Sequence, residues 1–259
     1  MRLLTLTLAF FLLIACDKSF LDVDDLTLAT EAYADRNLPL AERLLERYLR
    51  QEQNPEKRWD AWNLLLKSVN ADRPHPKASL ECLDAMLVEY EDDPTRLALI
   101  LPEIGKFCKM ARYFEQAVDA WSVYLELPVL DDLQRVNGYR QLAAMQLALR
   151  HYEAAEESLQ QCLGLPVAEK EKTDCLLDLA EENMMRERWQ EVADLCQQIL
   201  DSRPDKTVYG QAAYLRADAL EQMGKLSEAL DLFEGARDSY PNPLVMDNRI
   251  THLKKTMEK

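Results

Sequence analysis

Glycine is scarce in this chain of 259 residues: it occurs 6 times, beside 11 prolines, and aromatic residues make up only 8% of the sequence. Sandwiches and barrels are built from many short strands joined by glycine- and proline-rich turns. The composition leaves little material for such turns and strands, so it disfavours an all-β fold and favours helix.

Positive charge is also in short supply. The chain carries 31 lysines and arginines against 46 aspartates and glutamates, which gives a formal net charge of -15. A surface of this sign repels a phosphate backbone instead of releasing its counterions. We therefore expect no nucleic-acid partner. The hydrophobic content of 48% is high enough for the chain to bury a sizeable core.

The common catalytic motifs are missing. The sequence has no Gly-x-Ser-x-Gly, no glycine-rich phosphate loop and no His-Glu-x-x-His. Its three histidines, His75, His151 and His252, are far apart in the chain. We expect no catalytic residue, no metal site, no cofactor and no small-molecule substrate, so the sequence favours a protein that is not an enzyme.

The N-terminus begins with an apolar run from Leu3 to Ala15, which is broken only by Thr5 and Thr7. This run is shorter than the roughly 20 residues of a membrane-spanning helix and is typical of a signal peptide, here residues 1–15. It ends in Leu-Ile-Ala-Cys, which resembles the lipobox of bacterial lipoproteins. The resemblance implies that the Cys16 thiol receives a lipid and that the chain is cut just before it.

The residues after Cys16 add to this picture. Asp17 occupies the place at which an aspartate, in enterobacterial lipoproteins, is associated with retention at the inner membrane. The resemblance therefore implies a lipid-anchored protein of the bacterial cell membrane that faces the periplasm, with the inner membrane favoured over the outer. Residues 16–26 are acidic and lack helical apolar spacing, which predicts a short tether.

A pattern of small and large residues recurs six times between residues 27 and 241. In each copy the spacing is i, i+3, i+4, i+7 and then i, i+4, i+7, which places the marked residues on one face of each of two helices. The second helix of each copy opens with a small residue: Ala41, Ala78, Ala117, Ala155, Val192 and Ala229. In every copy this small residue lies 9 positions after the last marked residue of the first helix, for instance Ala78 after Val69. The constant spacing predicts the same turn inside every hairpin.

This pattern resembles the tetratricopeptide repeat (TPR), for example in Leu142, Ala143, Gln146, Ala155 and Leu159 of the fourth copy. The resemblance implies an all-α, TPR-like α-solenoid of about six helix hairpins. Residues 242–259 carry spaced apolar residues and end in lysines, which predicts a capping helix. Pro102 lies inside a predicted first helix, where it either kinks the helix or delays its start.

Five cysteines follow Cys16, and four of them occupy packing positions: Cys82, Cys108, Cys162 and Cys196. A cysteine at such a position acts as a small hydrophobic residue. Cys175 lies off the packing stripe and opens the helix that follows the one with Cys162. A disulfide between these two is compatible with an oxidising periplasm but depends on their geometry, and the sequence leaves it open.

Partner binding is expected on the first helices, because in the TPR family these line the concave groove. Non-packing positions of the third and fourth copies hold Lys106, Lys109, Asn137 and Arg140. We expect Arg140 to lie beside the helix with the two lysines, in a basic cluster that suits an acidic segment or a C-terminal carboxylate. The alternative is that these side chains are solvated or paired with neighbours such as Glu103.

The resemblance to bacterial TPR lipoproteins implies a lipid-anchored periplasmic scaffold that binds a protein or peptide in cell-envelope assembly or maintenance. An alternative is an accessory or regulatory subunit of a membrane-associated enzyme complex, which would form a stable stoichiometric complex. A catalytic hydrolase would instead require activity that is lost when one acidic residue or histidine is changed.

Overall fold

The computed structural model describes residues 24–258, and every regular element in that range is an α-helix. The predicted signal peptide, Cys16, Asp17 and most of the predicted tether lie outside the described residues. The helices are α1 (Asp25–Ala34), α2 (Leu38–Gln51), α3 (Pro55–Val69), α4 (Pro76–Glu89), α5 (Pro94–Ala111), α6 (Phe114–Glu126), α7 (Asp132–Ala148), α8 (Tyr152–Gly164), α9 (Glu169–Met185), α10 (Trp189–Asp201), α11 (Lys206–Gln222), α12 (Leu226–Ala236) and α13 (Pro243–Met257).

The described chain divides into two compact units, with α1 to α3 in the first and α4 to α13 in the second. In the first unit α2 packs against both α1 and α3. In the second unit each helix packs against the next, and α9 also contacts α7 and α11. Such stacking of helix hairpins is the arrangement of an α-solenoid, so the predicted fold class is confirmed. Among the described helices, none has both the length and the hydropathy required to cross a bilayer.

Short polar side chains set the helix starts. Asn54 and Asp93 cap α3 and α5 by accepting hydrogen bonds from backbone N–H groups of the first turn, and a proline follows each of them. Asp24 caps α1 in the same way by accepting from the N–H of Thr27 at 2.8 Å. Residues 24–26 of the predicted tether therefore form the cap and first turn of α1, because the capping aspartate starts the helix earlier than the apolar spacing indicated.

The turn inside the hairpins is constant in five of the six copies. The residue five positions before the small residue has a left-handed backbone in each of these, with φ between 57° and 77°. These residues are Arg36, Arg112, Arg150, Glu187 and Gly224. A left-handed residue just after a helix allows the chain to reverse while the last carbonyls of the helix remain bonded.

The second repeat departs from the predicted packing phase. Ala78 is only half-buried and Ala85 is exposed, whereas Ser79, Leu83 and Met86 are buried. Of the stripe predicted for α4, Cys82 is buried, but Ala78 and Ala85 are not, so the centre of the buried face is displaced by one residue. Both stripes have the same helical spacing, but the stripe with leucine and methionine removes more apolar surface from water.

The same repeat is also out of phase in its first helix. In α3 the repeat spacing predicts a buried stripe of Trp62, Leu65, Leu66 and Val69. Of these only Leu65 is buried, and Ala61 and Ser68 are buried instead of the other three. The five other small residues, from Ala41 to Ala229, are fully buried as predicted.

Helix α5 begins at Pro94 and continues through Pro102, so the proline does not delay the start of the helix.

The C-terminal helix α13 buries Met246 and Leu253 completely in the core cluster that also holds Phe233 of α12. The last hairpin is thus covered by a helix whose outer side is mostly polar, with Leu244 and Met257 exposed near its two ends.

Candidate functional site

The two predicted lysines of the binding surface lie on α5 and are exposed. Lys106 Nζ is 2.9 Å from Glu103 Oε2, one turn earlier on the same helix, so the pairing that the sequence offered as an alternative is present. An exposed pair of this kind stabilises the helix by about 0.5 kcal/mol or less. The charge of Lys106 therefore remains accessible to water and to a partner.

Asn137 and Arg140 lie one turn apart on α7, and Asn137 is exposed while Arg140 is half-buried. Arg140 Nε donates to Asp178 Oδ2 at 2.5 Å, and Arg140 Nη2 donates to Asp178 Oδ1 at 3.2 Å. Its Nη1 atom is 3.4 Å from Asp174 Oδ2. The guanidinium thus binds one carboxylate through two parallel hydrogen bonds and lies beside a second.

These contacts change the predicted geometry of the basic cluster. The partners of Arg140 are on α9, the helix after its own hairpin, whereas we expected it to lie beside α5. Loss of water around Arg140 disfavours its charged form, but the hydrogen bond and attraction from Asp178 outweigh this and raise the pKa of the guanidinium. The positive charge of Arg140 is therefore matched within the chain. Its role in binding a partner stays a prediction.

A similar link joins α13 to α11. Arg249 Nη2 contacts Asp218 and lies 2.8 Å from Glu221 Oε2. In both links a half-buried arginine binds two acidic residues spaced one turn apart on another helix. That acidic spacing is visible in the sequence, but which arginine reaches it is not. The sequence analysis therefore missed both links.

The described residues also contain a buried ionic cluster, which the sequence did not predict. Glu182 of α9 is fully buried, and Arg186 Nη1 donates to Glu182 Oε1 at 3.2 Å and to Glu156 Oε2 at 2.8 Å. Burial raises the pKa of Glu182, although the hydrogen bond from Arg186 opposes this. The second carboxylate oxygen of Glu182 has no hydrogen-bond partner among the described residues. The cluster ties α8 to α9 and lies at a hairpin junction, so we assign it to structure.

The disulfide that the sequence left open is present. Cys162 near the end of α8 and Cys175 in α9 are bonded, with a Cα–Cα distance of 6.1 Å, and both are completely buried. Cys82, Cys108 and Cys196 are free and buried. Burial raises the pKa of the Cys82 and Cys196 thiols to about 12, which keeps them in the unreactive thiol form.

In the part of the chain that the structure describes, no three histidine, cysteine, aspartate or glutamate side chains are arranged to hold a metal ion.

Solved structures resemble this arrangement of helices over most of the chain. The apo form of RapI matches with a TM-score of 0.66 at 8% identity, and the matched region covers 90% of this chain and 71% of the RapI chain. A tetratricopeptide repeat protein from Parabacteroides merdae matches with a TM-score of 0.54 at 13% identity, covering 89% of this chain and 97% of its own. The fold is TPR-like. PilF of Pseudomonas aeruginosa is similar to this TPR-like solenoid with a TM-score of 0.55 at 14% identity, covering 90% of this chain and 96% of its own.

No protein-family model and no curated protein matches the sequence. Because all three structures are less than 25% identical to the chain, the likeness concerns the fold alone. In the TPR-like solenoid of the second unit, α5, α7, α9 and α11 are first helices of their hairpins, and α4, α6, α8, α10 and α12 are second helices. The predicted binding surface therefore lies on two successive first helices.

Proposed function

We propose that the protein is a lipid-anchored periplasmic scaffold that binds a protein or peptide in cell-envelope assembly or maintenance and catalyses no reaction. The observation that carries the scaffold part is the TPR-like solenoid. Stacked helix hairpins present long surfaces of exposed side chains, and such surfaces suit an extended peptide or another protein. The fold alone does not select a function, so the site and the address carry the rest of the proposal.

The buried disulfide supports the proposed location. Disulfides persist in oxidising compartments such as the bacterial periplasm and are rare where thiols are kept reduced. The bond between Cys162 and Cys175 agrees with the interpretation of residues 1–15 as a signal peptide and of Cys16 as the lipidated residue. Asp17 favours the inner membrane within this proposal.

The partner surface that we propose consists of Lys106, Lys109, Asn137 and Arg140. The exposed lysines and Asn137 supply charge and hydrogen-bond donors for an acidic segment or a C-terminal carboxylate. A partner carboxylate reaches Arg140 only by competing with Asp178, which already accepts two hydrogen bonds from its guanidinium. We therefore assign most of the attraction to the lysines and a positioning role between α7 and α9 to Arg140.

Crosslinking in intact cells, followed by purification from solubilised membranes and mass spectrometry, tests this function. The variant Lys106→Ser/Lys109→Ser should recover less of the partner than the parent, most clearly at low salt, where surface charges act over longer distances. Lys254→Ser/Lys255→Ser is the matched control, because these lysines of α13 are also exposed but lie on another surface.

Equal recovery by both double variants would remove the proposed surface. Failure to recover any protein partner with the parent would overturn the scaffold function itself. A stable stoichiometric complex with an enzyme would favour the alternative role of accessory subunit.

A further inference from the structure

A groove lies between the second helices α4 and α6, and α5 forms its floor. Its volume is about 320 Å³, near the lower end of the range for sites that hold small molecules or single large side chains. The floor is made of buried Leu101, Ile104 and Cys108, and the walls carry half-buried Leu80 and Leu87 and exposed Val123. The groove is therefore apolar at its base and open to water at its rim.

This groove lies away from the surface that carries Lys106 and Lys109. Ile104 and Lys106 are two residues apart on α5, which places them about 200° apart around the helix axis. A ligand in the groove and a partner at Lys106 would thus contact opposite sides of α5, while Lys109 lies about 100° around the helix from the floor residue Cys108. The two sites can be tested independently.

Comparison with the other repeats shows that an apolar groove is not a general property of this solenoid. The residues 75 positions later line the equivalent groove between α8 and α10, where Leu179 replaces Ile104, Asn183 replaces Cys108 and Gln198 replaces Val123. On the wall, Glu156 occupies the position equivalent to Leu80. The offset between these two is 76 and not 75, because α4 buries the stripe that begins one residue later. Glu156 is paired with Arg188 at 3.1 Å.

Between α6 and α8, Gln146 occupies the position of Cys108 and accepts a hydrogen bond from Ser158 at 2.8 Å. Of the groove between α4 and α6 and the groove between α8 and α10, only the first has apolar residues on both walls.

Acidic groups lie at the rim of the apolar groove on both sides. Asp84 of α4 and Asp119 of α6 line it, and both are exposed. Among the described residues neither carboxylate has a lysine, arginine or histidine nitrogen within 4.0 Å, in contrast to Glu156 and Asp178, which are paired. The groove therefore offers apolar surface between two carboxylates that are free to attract a cation.

We propose that the groove between α4 and α6 is a docking site for a protein segment that presents a bulky apolar side chain next to a lysine or arginine. The apolar side chain fills the space above Ile104 and Leu101, and the cation lies between Asp84 and Asp119. This inference rests on the proposed scaffold function but requires neither the lysine surface nor the membrane location.

Charge complementarity selects this occupant over a lipid. A fatty acid or an anionic phospholipid would bring a negative headgroup to a rim that already carries two carboxylates in a chain of net charge -15. A negative headgroup at this rim would be repelled by the two carboxylates, whereas a basic peptide is attracted by both Asp84 and Asp119. No lysine or arginine of the described chain has to be displaced from the rim carboxylates first.

Fluorescence anisotropy with the full-length chain and labelled synthetic peptides tests the proposal. The probe peptide has Phe and Leu flanked by lysines in a Gly/Ser background; a second peptide has glutamates for the lysines, and a third has alanines for Phe and Leu. The probe should bind at least about tenfold more tightly than the alanine peptide, since one buried large side chain accounts for a factor of this size. It should also bind more tightly than the glutamate peptide, whose charges the two rim carboxylates repel. Its affinity should fall as salt is added.

Two variants of the groove locate the binding. Leu80→Glu/Val123→Gln introduces the residues of the equivalent polar groove and should weaken the probe peptide at least about tenfold. Asp84→Asn/Asp119→Asn should weaken it about three- to tenfold and remove most of the salt dependence. The matched control, Glu191→Gln/Asp194→Asn, removes two exposed charges from the polar groove and should leave binding unchanged. A circular dichroism melt of each variant verifies folding, and the aspartate variant keeps the test valid if Leu80→Glu unfolds.

Several results would overturn the proposal. These are equal binding of the acidic peptide, unchanged affinity in the aspartate variant, or a loss of binding in the control as large as in the groove variants. Binding of phosphatidylglycerol vesicles that Leu80→Glu/Val123→Gln abolishes, without peptide binding, would instead assign the groove to a membrane surface. Peptide binding at the groove while crosslinking recovers no partner would contradict the proposed cellular function and leave the groove assignment in place.

Discussion

Among single residues, the left-handed positions of the hairpin turns show where the sequence departs from an optimal choice. Five turns have the same backbone, but glycine occupies the position only at Gly224, while Arg36, Arg112, Arg150 and Glu187 hold it elsewhere. A residue with a Cβ atom adopts this conformation at a cost of about 1–2 kcal/mol. The repeated geometry therefore comes from packing of the two helices and not from the preference of the turn residue.

Replacing Arg150 by glycine should stabilise the protein. Arg150 is exposed and has φ 62°, so glycine relieves the backbone strain, although it adds freedom to the unfolded chain. We expect the free energy of unfolding to rise by about 0.5–1 kcal/mol and Tm by about 1–4 °C, measured by thermal and urea unfolding. Gly224→Ala, which introduces the same strain into the sixth turn, should lower Tm. A decrease for Arg150→Gly would show that its side chain makes a stabilising contact.

Glu182 predicts a specific pH dependence. Its pKa is raised in the folded protein because burial disfavours the carboxylate, so the folded state holds a proton more tightly than the unfolded state does. The cost of the buried charge is therefore present at neutral pH and disappears as the pH falls through the folded pKa.

The amide in Glu182→Gln removes that charge at every pH and still accepts a hydrogen bond from Arg186. We expect Glu182→Gln to be more stable than the parent at pH 7, with a difference that shrinks as the pH is lowered, as measured by urea unfolding at each pH. Glu157→Gln, at an exposed position outside this cluster, is the control for the loss of a carboxylate. A difference that grows at low pH would mean that folding lowers the pKa of Glu182 instead of raising it.

Individual helices in this protein are placed by which apolar stripe they bury. In five repeats the stripe that begins at the small residue is buried, whereas α4 buries the stripe one residue later. Two stripes with identical spacing compete on α4, and periodicity alone does not distinguish them. Side-chain size does: Cys82 is buried in any case, and Leu83 and Met86 bury more apolar area than Ala78 and Ala85 would.

Substitution by phenylalanine distinguishes the two phases. Ala155 has no exposed surface, so Ala155→Phe overpacks the crossing of the fourth hairpin and should cost about 1–3 kcal/mol in unfolding free energy. Ala85 is exposed, so Ala85→Phe should change stability by no more than about 0.5 kcal/mol. Both values follow from urea unfolding. If Ala85→Phe destabilised the protein as strongly as Ala155→Phe, the phase predicted from the repeat pattern would be correct for α4.

The disulfide links the end of one hairpin to the next first helix and joins cysteines 13 residues apart in the chain. A loop of this length predicts a stabilisation of about 2–4 kcal/mol. Reductant should therefore lower the Tm of the parent by several degrees, and Cys162→Ala/Cys175→Ala should have a lower Tm that reductant does not change. Cys196→Ala, at a buried free thiol, is the control and should keep the response to reductant. If reductant left the Tm of the parent protein unchanged, that result would contradict the presence of the disulfide.

For the molecule as a whole, the proposed function gives the anchor the role of locating the protein and the TPR-like solenoid the role of binding a partner. Within the second unit, Arg140 with Asp178 links α7 to α9, and Arg249 with Glu221 links the capping helix α13 to α11. Helices of this unit are thus held together both by apolar packing and by partly buried ion pairs.

The anchor predicts the distribution of the protein in cells. Cys16→Ala should release it from the membrane fraction or leave residues 1–15 uncut, because in the proposed anchor a single thiol carries the lipid. Fractionation with immunoblotting measures the distribution, and mass spectrometry of the mature N-terminus identifies the modified residue. Cys108→Ala is the control and should remain in the membrane fraction. An unmodified Cys16 in the parent would contradict the proposed location.

The sequence by itself determined the all-α class, the hairpin pattern, the terminal cap and the common turn of five hairpins; the prediction of the same turn in the second copy is wrong. Each of these depends on residues close together in the chain, where the spacing of apolar residues on one helix already states which face is buried. Ala117, Ala155 and Ala229, for example, are buried as their positions in the repeat predict.

Only the tertiary structure decided which distant side chains meet. Arg140 binds Asp178 and not a partner on α5, Cys162 reaches Cys175, and α4 and α6 leave an apolar groove where α8 and α10 leave a polar one. The repeat pattern specifies the inner face of each hairpin, but the outer faces are free to vary from copy to copy. What they form together depends on how neighbouring hairpins stack, and no spacing within a single helix records that.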